Sequence, residues 1–404
     1  MAKILKVKVG FFALPPATRL VDARHGEHDV IELITITLTD ETGVTGIGYT
    51  FTGGHNGAAI HKSIEADIVP LLAGEDADQI AAIWDKIWWA CHYGGRGGPM
   101  VLALSAIDIA LWDLKAQRAN LPLWRLLGGY SSSVKCYAGG IDLHLEGDAL
   151  LATVDAAIST GQTAYKMKVG RDILSEDVAR LATIRRHVGD DFTLMIDANM
   201  KYRANEAITA ARAFQPSMPL WFEEPVVPED IDGLTRVAQE GGLAVATGEN
   251  FRSLWEFAET IKRTPISYPQ PDVTNCGGVS AFMKIAALAE AFHLPIASHG
   301  AHDITVHLMA ACPNASFLEA HGFGLDRYIS HPLIIRDGFA QAPEIPGIGF
   351  TFDEEGLSAF CVSTQQHDVI SWCFVRGFAK AMLTETQLAS FQENCYLVVE
   401  TVFD

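Results

Sequence analysis

Nine polar residues are spaced through the second half of the chain in a way that could build one chemical site. Lys166 and Lys168, Asp197 and Asn199, Glu223, Glu249, Asp272, His299 and Glu319 each end or follow a short apolar run, and successive runs place them 20–29 residues apart. That interval is about one strand plus one helix. In a parallel barrel it brings every one of these side chains to the same mouth, the end where barrel active sites are built.

The residue types then suggest the chemistry. Asp197, Glu223 and Glu249 come from three consecutive runs and would project into one cavity, where unbalanced carboxylates raise one another's pKa. A hard divalent cation resolves that conflict, and an all-oxygen set favours Mg²⁺ over Zn²⁺. A surface acid cluster is the alternative. Lys166 and Lys168 are two apart on one strand, so they share a face about 7 Å apart. Each ammonium disfavours the other, which predicts lowered pKa values and a base near neutral pH; two solvated strand-end lysines are the alternative. His299 follows Asp272 by one repeat, and a carboxylate on one ring nitrogen would fix its tautomer and leave the other free for proton transfer. Glu319 offers a hydrogen bond opposite the metal or a structural contact. A metal between lysine and histidine bases would let a bound carboxylate lose its α-proton as a stabilised enediolate.

The elements that position these groups follow from patterning. Eight short runs, at 134–140, 164–170, 193–200, 220–226, 243–250, 266–273, 294–300 and 317–322, alternate with amphipathic segments such as SEDVARLATIRRHVG. Eight strands alternating with helices predict a parallel α/β barrel, although GLDRYISHPLII after the last strand does not read as a full eighth helix. Residues 1–130 read as a separate α+β unit. A hairpin at 31–51 precedes helical patterns at 58–72, 77–89 and 101–127, the last broken near Pro122. The glycine-rich HYGGRGGPM (92–100) lacks the Lys-Ser/Thr ending of a phosphate loop. Residues 330–360 return to loop and strand texture, and 361–404 have scattered apolar residues without a clear pattern.

Composition excludes other classes. Lys+Arg 30 against Asp+Glu 49 gives −19 over 404 residues, a charge that opposes nucleic acid and anionic membrane surfaces. No apolar run is long enough for a spanning helix, and the first residues show no cleavage-site pattern. Seven cysteines form no CxxC pair, so a reduced, cytoplasmic protein is expected.

As an ordered set, YKMKVG, MIDAN, FEEP, TGEN, PDVTNCGG, ASHG and FLE resemble the enolase superfamily, specifically its mandelate racemase-like subgroup, over almost all of residues 1–360. The resemblance implies an α/β fold: a modified TIM barrel, (β/α)7β, at 131–329 under an N-terminal α+β capping domain at 1–130. A return to the cap at 330–360 would follow, and 361–404 would be an extension outside the resemblance. It implies Asp197, Glu223 and Glu249 as Mg²⁺ ligands, Lys168 as the lysine base and Lys166 as neutraliser of the substrate carboxylate. His299 becomes the second acid/base, oriented by Asp272; Glu319 hydrogen-bonds the substrate carboxylate, and Asn199 matches a polar site position. Most members with this set resemble acid-sugar dehydratases, which turn an aldarate or aldonate into a 2-keto-3-deoxy acid. Racemases, epimerases and cycloisomerases use the same residues, and a non-catalytic acid-sugar binder would need one of them lost. Polar cap loops around Arg24–Asp29 and Phe51–Asn56, with Arg24, His25, His28 and His55, favour a polyhydroxylated substrate over a phenyl group. Arg96 is a candidate partner for a distal carboxylate. A homo-oligomer, octameric or smaller, is expected from the same resemblance.

Overall fold

The computed structural model describes residues 2–321 and 323–369. Its N-terminal part is an antiparallel sheet backed by helices. The long strand Ile4–Leu14 is central, with Ile31–Asp40 on one side and Cys361–Asp368 on the other, and Thr45–Thr52 lies beyond Ile31–Asp40. The stretch that read as patternless from residue 361 thus begins as a strand, paired in register from Lys6↔Asp368 to Phe11↔Ser363. The remainder of that expected extension, 370–404, lies outside the described residues.

Three helical stretches cover the sheet: Gly57–Leu72, which widens to π geometry over Ile64–Ile68, then Ile80–Cys91 and Pro99–Ala119. Leu123–Leu126 follows as a separate turn of helix, so the break falls at Asn120–Pro122. Pro99–Ala119 is apolar nearly all round because it is sandwiched between the sheet and the barrel. Strand Thr45–Thr52 comes so near it that a Cβ on Gly48 would collide with the Ala106 carbonyl.

Below this cap, parallel strands Ser133–Gly139, Ala164–Lys168, Thr193–Asp197, Phe222–Glu223, Val245–Thr247 and Tyr268–Pro269 pair in chain order, and Leu318–Ala320 pairs back onto the first. The seventh run, expected as a strand, is only a bridge at Ile296↔Ala315. It still closes the barrel, through Ala297 N–H to Pro269 O on one side and Ser298 N–H to Phe317 O on the other, both 3.0 Å. Where an eighth barrel helix would follow the last strand there is a 3₁₀ turn, Leu325–Tyr328, so the fold is the (β/α)7β barrel with its cap. Residues Phe339–Gln341 then pair antiparallel with the start of the first barrel strand.

Period-two alternation sorts the strands. Tyr137, Met195, Trp221, Ala246, Ala297 and Phe317 fill the lumen, while Tyr165, Met167, Leu194, Ile196 and Phe222 pack outward against the helices. The charged residues stand directly above this apolar plug. Lys166 Nζ lies 5.5 Å from the centre of the Tyr137 ring.

Of two buried acids on the helix Pro99–Ala119, Asp108 locks cap to barrel and Asp113 ties the cap to the returning segment after the barrel. Asp108 accepts Ser280 N–H (2.8 Å) and Oγ–H (2.7 Å) at the start of helix Gly278–Ala291. Gly278, at φ +82°, is required there because a Cβ would strike Asp108. Asp113 Oδ2 accepts Ile47 N–H at 2.7 Å and Oδ1 accepts Ile348 N–H at 2.8 Å, and burial pushes its pKa up to about 7. Asp113→Asn would set an amide N–H₂ against one of these donors. It is expected to cost about 1–3 kcal/mol, read as a lower urea midpoint.

Candidate active site

At the C-terminal mouth of the barrel the expected side chains form one charged ring. Ligand oxygens of Asp197, Glu223 and Glu249 lie within 4.8 Å of one another. Lys166, fully buried, reaches Glu223 Oε1 at 2.5 Å, Glu319 Oε1 at 2.8 Å and Asp197 Oδ2 at 3.2 Å. Lys168 Nζ is 2.5 Å from Asp197 Oδ2. On the opposite flank, His299 Nδ1 is 2.8 Å from Asp272 Oδ2, and its Nε2 is 3.4 Å from Glu249 Oε2 and 3.8 Å from Glu319 Oε2. The lysine pair and the imidazole therefore flank the carboxylates from two sides.

The electrostatics correct one expectation. The mutual repulsion of Lys166 and Lys168 was expected to lower both pKa values, yet both are raised. Burial does push each down, but Glu223, Glu319 and Asp197 around Lys166, and Asp197 beside Lys168, outweigh it. Burial likewise lowers the His299 imidazolium, and Glu249, Glu319 and Asp272 more than reverse this, lifting it to about 10. Burial pushes Glu223 up to about 8, with Asp197, Glu319 and Glu249 adding to the rise against the pull of Lys166.

The trio fits a divalent cation. Its donors are all oxygens from three adjacent strands, and Glu249 Oε2 is buried with no hydrogen bond, His299 Nε2 standing near it without hydrogen-bond geometry. Hard, oxygen-only ligation of this kind suits magnesium.

Several supporting residues were not foreseen. Trp221 Nε1 and Gln270 Nε2 donate to Glu223 Oε2 at 2.9 and 2.8 Å. Thr274 donates its N–H and Oγ–H to Asp272 Oδ1 at 2.7 and 2.6 Å, leaving Oδ2 for His299. Lys168 is gripped by its backbone: its N–H bonds Asp142 Oδ1 and its carbonyl accepts from Arg180 Nη1, both at 2.9 Å. Glu224, at φ +36°, is buried and held by Asn250 Nδ2 at 2.9 Å. Burial, with Glu249 and Asp197 nearby, raises its pKa well above the usual range. The second glutamate of FEEP was its only trace in the sequence.

The remaining candidates differ in how far they reach the ring. Asn199 donates its backbone N–H to Asp197 Oδ1 at 2.8 Å, and its side-chain Oδ1 is buried without a partner. Arg24 crosses from the cap to the Met200 carbonyl. Arg96 is exposed and lines a groove of about 1410 Å³ with Met200, Asn250 and Arg252. His55 is exposed and makes no hydrogen bond or ion pair to the ring. The cap wall on the His299 side is aromatic: Phe51 packs on Phe323 with centroids 5.0 Å apart and lies against Gly300. The polar character expected of both cap loops therefore holds for 24–28 and not for Phe51.

Comparison with known proteins identifies the family. Residues 11–128 match the mandelate racemase/muconate lactonizing enzyme N-terminal domain, and residues 149–356 match the enolase C-terminal domain-like family. The chain belongs to the mandelate racemase/muconate lactonizing enzyme family of the enolase superfamily. It is 46% identical over 359 residues to the 3,6-anhydro-alpha-L-galactonate cycloisomerase of Streptomyces coelicolor, covering 89% of this chain and 99% of that protein. It is 36% identical to the L-talarate/galactarate dehydratase of Salmonella typhimurium, covering 86% and 89%. A crystal structure of a racemase from Streptomyces coelicolor with bound magnesium superposes with a TM-score of 0.87 at 45% identity, over 89% of this chain and all of that one. The protein is thus an enolase-superfamily enzyme; that racemase structure holds magnesium, and the trio Asp197, Glu223 and Glu249 is a group that could hold such an ion here. Among the described residues no helix is long and apolar enough to cross a membrane.

Proposed function

We propose that this enzyme removes the proton α to the carboxylate of an acid sugar and expels the oxygen substituent on the β-carbon, giving a 2-keto-3-deoxy acid. The observation that carries this reading is the placement of Lys168 and His299 on opposite flanks of the Asp197–Glu223–Glu249 trio, 2.5 Å from Asp197 and 3.4 Å from Glu249. Magnesium held by the trio supplies, when bound, positive charge beside the substrate carboxylate that acidifies the α-proton.

The chain's own groups divide the remaining work. Lys168 takes the α-proton. In the ring as it stands Asp197 holds it protonated; with Asp197 engaged as a ligand, burial and the neighbouring Lys166 ammonium, which both lower it, are left to set its basicity. Lys166 stays charged and, with Glu319, binds the substrate carboxylate. His299, whose charged form Glu319 and Asp272 favour against burial even with Glu249 engaged as a ligand, donates its proton to the departing β-oxygen. Asp272 fixes the ring with Nδ1–H toward itself and Nε2 toward the cavity.

The leaving oxygen distinguishes two reactions. In an aldarate or aldonate it is a hydroxyl and departs as water. In a 3,6-anhydrogalactonate the oxygen on C3 is the ring ether, so the same elimination opens the ring with no loss of atoms. The polar 24–28 loop suits the first substrate. The aromatic Phe51–Phe323 wall beside His299, together with the 46% identity to a cycloisomerase, favours the second. The test is to supply aldarates, aldonates and 3,6-anhydrogalactonate with magnesium and to follow 2-keto acid formation. An epimer as the only product would contradict the elimination.

Asp272→Asn would place an amide donor against Nδ1–H of His299. The imidazolium then loses one of the groups that raise it, so the alkaline limb of the kcat–pH profile is expected to move down by about one unit or more.

A further inference from the structure

We propose that Asp22, His25 and His28 of the cap form a second metal site, distinct from the carboxylate trio, that takes a zinc-class divalent cation. Donor atoms of the three side chains lie within 4.8 Å of one another. His25 Nδ1 and His28 Nε2 converge on a single oxygen, Asp22 Oδ2, at 3.0 and 2.7 Å. That oxygen is held in place because its twin, Oδ1, accepts the backbone N–H groups of Arg24 and His25 at 2.8 and 2.7 Å.

The chain that carries these donors is itself anchored. Val21–Asp22 pairs with Gly26–Glu27 in a two-stranded ribbon, and Gly26 at φ +76° turns it. The ribbon is tied to the barrel by Val21 N–H to Ile141 O and by Leu143 N–H to Val21 O, both 3.1 Å. The Arg24 guanidinium adds a bond to the Met200 carbonyl. Asp22 is buried, whereas the His25 side chain is 54% exposed, so the cluster has a fixed base and an open side.

Donor type and spacing identify the ion. Two imidazoles and one carboxylate are a ligand set of zinc and its transition-metal neighbours, whereas magnesium takes oxygens. Tetrahedral bonds of about 2.0–2.1 Å put neighbouring donors roughly 3.3 Å apart. The observed 2.7 and 3.0 Å need to open by only a few tenths of an ångström as the cation replaces the two hydrogen-bonding protons. The fourth position is left to water. The two sites therefore sort cations by chemistry: all-oxygen in the barrel, nitrogen-rich in the cap.

The test uses the full chain in excess magnesium, which keeps the carboxylate trio filled, titrated with Co²⁺ as the visible reporter for zinc. The expected result is a d–d absorption band that saturates at one equivalent and is bleached by Zn²⁺. His25→Ala and His28→Ala should each weaken binding at least about 10-fold, and Asp197→Asn should leave the band intact. His25 is exposed enough for its alanine variant to keep the fold, checked by circular dichroism. Absence of a band, or a band that survives both histidine variants and disappears in Asp197→Asn, would overturn the second site.

Discussion

Lys168→Met is expected to lower kcat by about 10²–10⁴-fold, the usual contribution of a positioned general base, while magnesium binding persists. Methionine nearly fills the same buried volume, and Asp197 keeps Lys166 at 3.2 Å as a counter-charge. The loss should therefore come from the missing amine and not from collapse of the mouth. Exchange of the C2 proton with solvent should fall in step with turnover, because Lys168 is assigned to the step that breaks the C2–H bond. Two measurements check this together: a 2-keto acid assay for turnover, and proton NMR of substrate in D₂O for exchange. Exchange at the wild-type rate in Lys168→Met would give the α-proton to another base.

His299→Gln should separate the same two readouts. Product formation is expected to drop by about 10²–10⁴-fold because the general acid for the leaving oxygen is gone. C2 exchange should largely survive, since Lys168, Asp197 and the backbone grip from Asp142 and Arg180 are untouched. Equal loss of exchange and product would exchange the roles of the two flanks, making His299 the base.

Much of this site was legible because strand alternation is a strict rule. Once Lys166 and Lys168 were placed two apart on a strand, and Asp197 and Glu223 two beyond Met195 and Trp221, their common direction followed. The barrel's seventh run was legible as apolar, but Pro295 on the run and Pro269 and Pro271 facing it have no N–H, and His299 N–H reaches Pro271 O only at 3.4 Å, so it makes a bridge and not a strand. The lysine pair shows the limit of pairwise reasoning. Two like charges predict depressed pKa values, but Glu223, Glu319 and Asp197 reach them from other strands, and the sign follows the larger sum.

Other features carry almost no local signal. Glu224 turns back into the interior through a left-handed backbone that neither its type nor its neighbours announce. Gln270, 47 residues away in the chain, becomes a partner of Glu223 only through barrel closure. Among the described residues Cys361–Asp368 is an edge strand with mostly exposed side chains, so no hydrophobic alternation marks it. Its order comes from backbone pairing with Ile4–Leu14. His55 and Arg96 sit on exposed loops, where residue type does not fix direction.

The most direct test of the account is the isotopic pattern of the product formed in D₂O, with and without magnesium, from an acid sugar the enzyme accepts. Abstraction at C2, elimination at C3 and ketonisation of the enol predict a 2-keto-3-deoxy acid with one deuterium at C3, formed only when magnesium is present. The label is the same whether the departing oxygen is a hydroxyl or a ring ether. An unlabelled product, or one formed at the same rate without magnesium, would contradict the proton-abstraction mechanism.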